Sequence, residues 1–193
     1  MPLTTGTPPK TCDRIASEAV RGLTDEATEG PVPDIALPHE VYAMGLDDVV
    51  GGDLKKARRT GWRYLVLQGD RAVAAAVVDA PEGKARMQFS HVNSGPFVEE
   101  TVNAVAQAEG LEAVARGDYE VRLLNIPALY VMALWLHGER DDLLLPMPPT
   151  NESLDAKKVY AAADLLKRLK RPAQARSAFD DTPRPGAKAG RPA

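Results

Sequence analysis

The chain has a single cysteine, Cys12. An intrachain disulfide and a cysteine-based metal cluster are therefore excluded. Aromatic residues make up only 5% of the sequence, too few for a nucleic-acid stacking platform. No apolar run approaches the roughly 18 residues that cross a bilayer. The opening MPLTTGTPPKTCDR lacks the apolar core of a secretory signal. Together these absences point to a cytoplasmic protein with no membrane span. Also missing are G-x-G-x-x-G, a P-loop, G-x-S-x-G and H-E-x-x-H, so none of the common phosphate, nucleophile or zinc motifs is present. No cofactor and no catalytic residue is assigned.

What is present is a chain of 193 residues, 44% of them hydrophobic. That suits one domain plus trailing sequence. Net charge is −3, unevenly spread. Residues 157–193 hold ten Lys or Arg and three Asp, hence +7, so residues 1–156 carry the remaining −10. An acidic body with a basic end is the clearest compositional signal. Six of the 16 prolines fall in residues 1–38 and four in 172–193.

The expected fold class is α+β. A single small domain carries a mostly antiparallel sheet of about five strands flanked by helices, in the order α-β-β-β-α-β-β-α, with disordered termini. Residues 1–38 read as an arm holding a short helix over 14–23, capped by Asp13. Residues 39–171 read as the globular domain, and 172–193 as a disordered basic tail. Within the domain, 39–60 looks helical, broken at Gly51-Gly52 and stopped by Gly61. Trp62–Leu67 and Arg71–Val78 form a hairpin around Gly69-Asp70. Arg86–Val92 is a third strand. A helix opens at Ser94-Gly95-Pro96 and ends at Gly110, with Phe97, Thr101, Val102 and Val105 as its buried stripe. Tyr119–Ile126 and Ala128–His137 are two further strands joined near Pro127, the second of which also suits a buried helix. A last helix runs from Asn151 or Ser153 to about Lys170.

Candidate site residues are few. His91 and Asn93 sit where a strand meets a helix start, a place for a general base or an anion. Arg63, Glu120 and Arg122 are charges inside strand-like runs. Glu120 and Arg122 pair if they share a face, and Arg63 with Arg122 would grip a carboxylate. His137, Glu139, Asp141 and Asp142 crowd one segment, but Arg140 among them opposes a cation, and no metal is assigned. Lys167, Arg168, Lys170 and Arg171 form the basic flank of the last helix.

These features imply a non-catalytic interaction or assembly protein, an adaptor that engages a protein partner or a second copy of itself through its terminal helix and flexible ends. One alternative is a small-molecule-binding domain or small enzyme with a cleft near His91 and Arg122. Another is an accessory nucleic-acid binder acting through the basic C-terminal segment, a role that the acidic body opposes.

Overall fold

A computed structural model describes residues 3–24, 33–83 and 86–180. Among these residues nine strands form one sheet, almost twice the expected number. The strands are β1 (Leu3–Thr5), β2 (Asp34–Ala43), β3 (Arg58–Gln68), β4 (Arg71–Asp79), β5 (Gln88–Asn93), β6 (Tyr119–Ile126), β7 (Val131–Gly138), β8 (Asp142–Pro146) and β9 (Tyr160–Ala161). The α-helices are α1 (Lys10–Thr24), α2 (Leu46–Gly51), α3 (Pro96–Glu109), α4 (Glu112–Arg116) and α5 (Ala162–Asp180). The α+β class holds, and most pairings are antiparallel. The order across the sheet is β5-β4-β3-β2-β6-β7-β8-β9.

The centre of that order is a parallel seam. Glu40–Ala43 of β2 pair with Arg122–Asn125 of β6, and β1 continues the seam by pairing Leu3–Thr5 with Tyr119–Val121. On either side runs an antiparallel meander of four strands followed by a helix: β2 to β5 then α3, and β6 to β9 then α5. The two halves thus repeat one order of elements with their faces exchanged. On one face α1 covers Trp62, Tyr64, Val66 and Val78, while α5 covers Leu124, Ile126, Ala133 and Leu144. On the other face α3 covers Leu65 and Ala75, and α3 with α4 covers Val121, Leu123, Leu134 and Leu136. A helix on each side of each half encloses the apolar residues of both faces, which is why β6 and β7 read as nearly continuous apolar runs.

Several local expectations need correction. Residues 39–60 are not a broken helix. Residues 34–43 are a strand, 46–51 one and a half helical turns, 54–56 a 3-10 turn, and β3 already begins at Arg58. The arm predicted over 1–38 therefore supplies two strands and a helix to the fold. Helix α1 begins at Lys10, with Asp13 in its first turn accepting a hydrogen bond from the Tyr64 hydroxyl at 3.0 Å rather than capping the helix. Gly61 lies inside β3, where a Cβ would come within 2.1 Å of the Val78 carbonyl oxygen. The buried stripe of α3 is Val98, Thr101, Ala104 and Ala108, and Val102 is exposed. Helix α5 starts at Ala162, eleven residues beyond Asn151 (162 − 151), and continues through Pro172 to Asp180. So 172–180 is helical rather than disordered, and the tail expectation for 181–193 lies outside the described residues. The linker expectation for 25–32 lies there too. No described helix is long and apolar enough to cross a membrane.

Candidate functional site

On the face shared by α1 and α5, the register aligns Trp62, Glu40, Arg122, Trp135 and Leu144 across five strands. The neighbouring row holds Glu120, His137 and Asp142. On the other side lie Tyr42 and Arg59. Side chains two apart on a strand share a face, so alternation alone collects these groups into one strip. Helix α1 lies over β3 to β5 and α5 over the β8–β9 end. Trp62, Trp135 and Leu144 of the row are buried, and between the helices the charged groups reach solvent in part. Glu40 is 12% exposed, Arg122 17%, Asp142 29% and His137 40%. Gly6, just after β1, passes over one end of the strip. A Cβ there would sit 2.9 Å from the Trp62 ring and 3.8 Å from the Glu120 carboxyl carbon.

Glu40 is the hub. One of its oxygens accepts from Arg59 Nη1 at 2.6 Å, and the other accepts from the Tyr42 hydroxyl at 2.7 Å. Arg122 Nε lies 3.8 Å from Glu40 and donates to Glu120 Oε1 at 2.7 Å. The Arg122 guanidinium also sits 5.3 Å from the ring centres of both Tyr42 and Trp135, which themselves meet edge to face at 4.9 Å. A planar cation between two rings and two carboxylates is held in one orientation. Burial, then the hydrogen bond to Glu40, pushes the Tyr42 phenol up to about 12. Further along, Asp142 Oδ1 accepts from Trp135 Nε1 at 2.7 Å and lies 2.7 Å from His137 Nδ1. Two arginines, Arg59 and Arg122, face three carboxylates, Glu40, Glu120 and Asp142.

The expected pair of Glu120 and Arg122 therefore forms, inside a larger network. Arg63 is not part of it. It lies on the opposite face, 2% exposed, beneath α3. Its guanidinium donates to Thr101 Oγ1 at 2.9 Å and to the Phe97 carbonyl at 3.3 Å, and stands 3.5 Å from His39 Nε2. Arg63 and Arg122 cannot grip one carboxylate, because the sheet separates them. Burial pulls Arg63 down to about 10. His39, fully buried, is pushed down to about 3, first by burial and then by the Arg63 charge. Its Nδ1 is 2.7 Å from the Leu37 carbonyl, which fixes the proton there and leaves Nε2 to face Arg63. Leu37 itself has a φ of 49°, at the irregularity between Ala36 and His39 in β2.

His91 and Asn93 do meet, at 3.5 Å, on exposed β5. They are at the sheet's edge, four strands from β6, and His91 faces away from the strip. The structure thus joins neither of them to Arg122. The segment 137–142 divides likewise. Asp142 belongs to the strip, whereas Asp141 accepts from the Tyr119 hydroxyl at 2.7 Å. Among the described residues no group of three or more His, Cys, Asp or Glu is arranged to hold a metal ion. Lys167, Arg168, Lys170 and Arg171 are exposed on α5, where Arg168 and Lys158 each approach the Tyr160 ring at 5.4 Å. Cys12 is buried, and that burial pushes its thiol up.

Sequence reasoning missed Glu40, Tyr42 and Arg59, because 39–60 reads as a helix. The alternation His39-Glu40-Val41-Tyr42 carries the strand signal, with the polar pair on one face and His39 with Val41 on the other. No protein-family model matches the chain, and no curated protein or solved structure does either.

Proposed function

We propose that this chain is a non-catalytic binding protein, an adaptor or accessory subunit, and that a protein partner docks on the strip between α1 and α5. The observation that supports this is the state of the strip's charged groups. Each is already paired with a neighbour, and those on β2, β6, β7 and β8 reach solvent in part between the two helices. A catalytic site needs an uncommitted nucleophile or a base aimed at a reacting atom. Here Asp142 orients His137, and none of the hydroxyls or thiols described bonds to the other ring nitrogen. Paired Arg, Tyr and Trp side chains on rigid strands are what protein interfaces use at their centres. They are large, bury much area, and lose little rotamer freedom on binding. The exposed lysines and arginines of α5 stand at the β8–β9 end of the sheet, where they can meet carboxylates at the rim of such a partner.

The test places a photo-crosslinking residue at position 137 in the strip and, separately, at position 102 on α3. One protein captured from position 137 in living cells, absent from 102 and lost in Arg122→Glu, is the expected result. A second copy of this chain captured in that pattern would make the assembly a homo-oligomer. Capture from both positions alike, or from neither, overturns the assignment.

A further inference from the structure

An open groove of about 830 Å³ lies at the far end of β2 and β3. Its wall is a basic run, Lys55-Lys56-Ala57-Arg58-Arg59, four cations in five residues, a density matched by Lys167–Arg171 on α5. Two carboxylates, Asp48 and Glu82, also reach it, and Glu40 already takes up Arg59, so the cations left without a carboxylate partner there, among the described residues, are Lys55 and Lys56. Residues 1–156 carry 24 acids against 14 bases, so unpaired cations are the exception on this body.

The run is presented by a built turn. Asp53 Oδ1 accepts from the Lys55 amide at 3.0 Å, and Leu54, 8% exposed, anchors the turn in the core. Lys55 and Lys56 are both exposed, and neither has a carboxylate within ion-pair distance among the described residues. Arg58 meets Asp48 only at 3.6 Å and is 79% exposed. Arg59 is committed to Glu40 through Nη1, yet its Nε is buried with no acceptor.

We propose that this groove binds a phosphate-bearing small molecule, with its dianionic phosphoryl group held by Lys55, Lys56 and Arg58. A phosphoryl dianion matches the two lysines that have no carboxylate partner among the described residues, whereas a single carboxylate leaves one of them uncompensated. Lysines act on it as mobile point charges and an arginine as a flat two-pronged donor. The volume lies within the range of small-ligand sites, which leaves room for more than the phosphoryl group. The groove is separate from the strip's recognition surface, and Arg59 alone borders both.

The experiment is calorimetric titration of the full chain, in phosphate-free buffer at low salt, with inorganic pyrophosphate and with ATP in the absence of metal. Saturable one-to-one binding is expected. Lys55→Ala/Lys56→Ala should weaken it at least about tenfold, and Lys167→Ala/Lys170→Ala on α5 should leave it unchanged. Unaltered thermal midpoints in both doubles show that folding is intact, and Arg58→Gln supplies a second variant should the first double fail to fold. Equal affinity for the two probes assigns recognition to the phosphoryl groups alone, and tenfold tighter ATP adds the nucleoside. No saturation at millimolar probe, binding that survives loss of both lysines, or equal losses in the two doubles overturns the proposal.

Discussion

Arg63 Nη1 stands 3.5 Å from His39 Nε2 in the core, on the side of the sheet away from the strip. The pair brings a permanent cation and a titratable ring together where water cannot reach. Neither has a carboxylate partner among the described residues. The ring answers by staying neutral.

That neutrality makes stability depend on acid. His39 has a folded value of about 3 against 6.5 when free. Its contribution is fully present above pH 6.5 and is lost as pH falls toward 3, because only the unfolded chain takes up the proton. Between pH 5.5 and 4 the unfolding free energy should fall by nearly the limiting ~1.4 kcal/mol per pH unit from this one group. Urea unfolding of His39→Asn and the parent across that range measures the difference in slope. Parallel slopes would refute the assignment.

Arg63 itself gives a second test. It holds three uncharged acceptors but no counter-ion, and its Nε has no partner. Thr101 keeps its own bond to the Phe97 carbonyl at 2.6 Å without it. Replacing a buried, uncompensated charge by an apolar side chain of similar length is neutral to stabilising. Arg63→Met should therefore unfold at the same or a higher urea concentration, with a gain of up to about 2 kcal/mol. A loss beyond about 1 kcal/mol would show that its hydrogen bonds outweigh its desolvation.

Glu40 is the opposite case. Removing it strands Arg59, Arg122 and the Tyr42 hydroxyl at once. Glu40→Ala should cost about 2–4 kcal/mol. The double variant with Arg59→Ala should cost less than the sum of the singles, a positive coupling that denaturant titration of all four proteins would detect.

Gly61→Ala tests the β3–β4 ladder. The new methyl meets backbone, at 2.1 Å from the Val78 carbonyl oxygen and 3.1 Å from the Ala80 nitrogen. Neither neighbour can rotate aside as a side-chain end would. A loss of about 3 kcal/mol is expected by thermal or urea unfolding.

The last prediction concerns α5. Ala173 is fully buried. Ending the chain after Arg171 removes it along with the helix's last turns, whereas ending after Asp180 keeps them. The shorter protein should be about 1–3 kcal/mol less stable than the longer. Equal stability would mean that Leu165, Leu166 and Leu169 dock the helix unaided.

How far the sequence reveals this depends on distance along the chain. The β3–β4 hairpin, α3 with Gly110 behind it, and the turn at Pro127 are all legible, because turn residues and periodicity lie within one window. The Glu120–Arg122 pair is legible for the same reason, being two residues apart on one strand. Strand β2 is not. Leu37-Pro38 interrupts its alternation with a left-handed residue, and its partner β6 lies beyond seven further elements. Hence Glu40 could not be connected with Arg122, although the two sit side by side in the sheet. Strand β8 is hidden between a charged turn and three prolines. Pro172 suggests a stop, but a proline in a helix forfeits one backbone bond, and the apolar spacing of Leu165, Leu169 and Ala173 carries the helix through it.

The parallel seam also sets an order of events. Each meander can zip from its own turns, since its ladder partners are near neighbours in sequence. The β2–β6 pairing needs residues 40 and 122 to find one another, and β1 needs residue 3 to find 119. Chain entropy weighs most heavily on those few contacts. Closure of the seam is the slow search in this protein's folding, and the strip astride it comes into being only at that step.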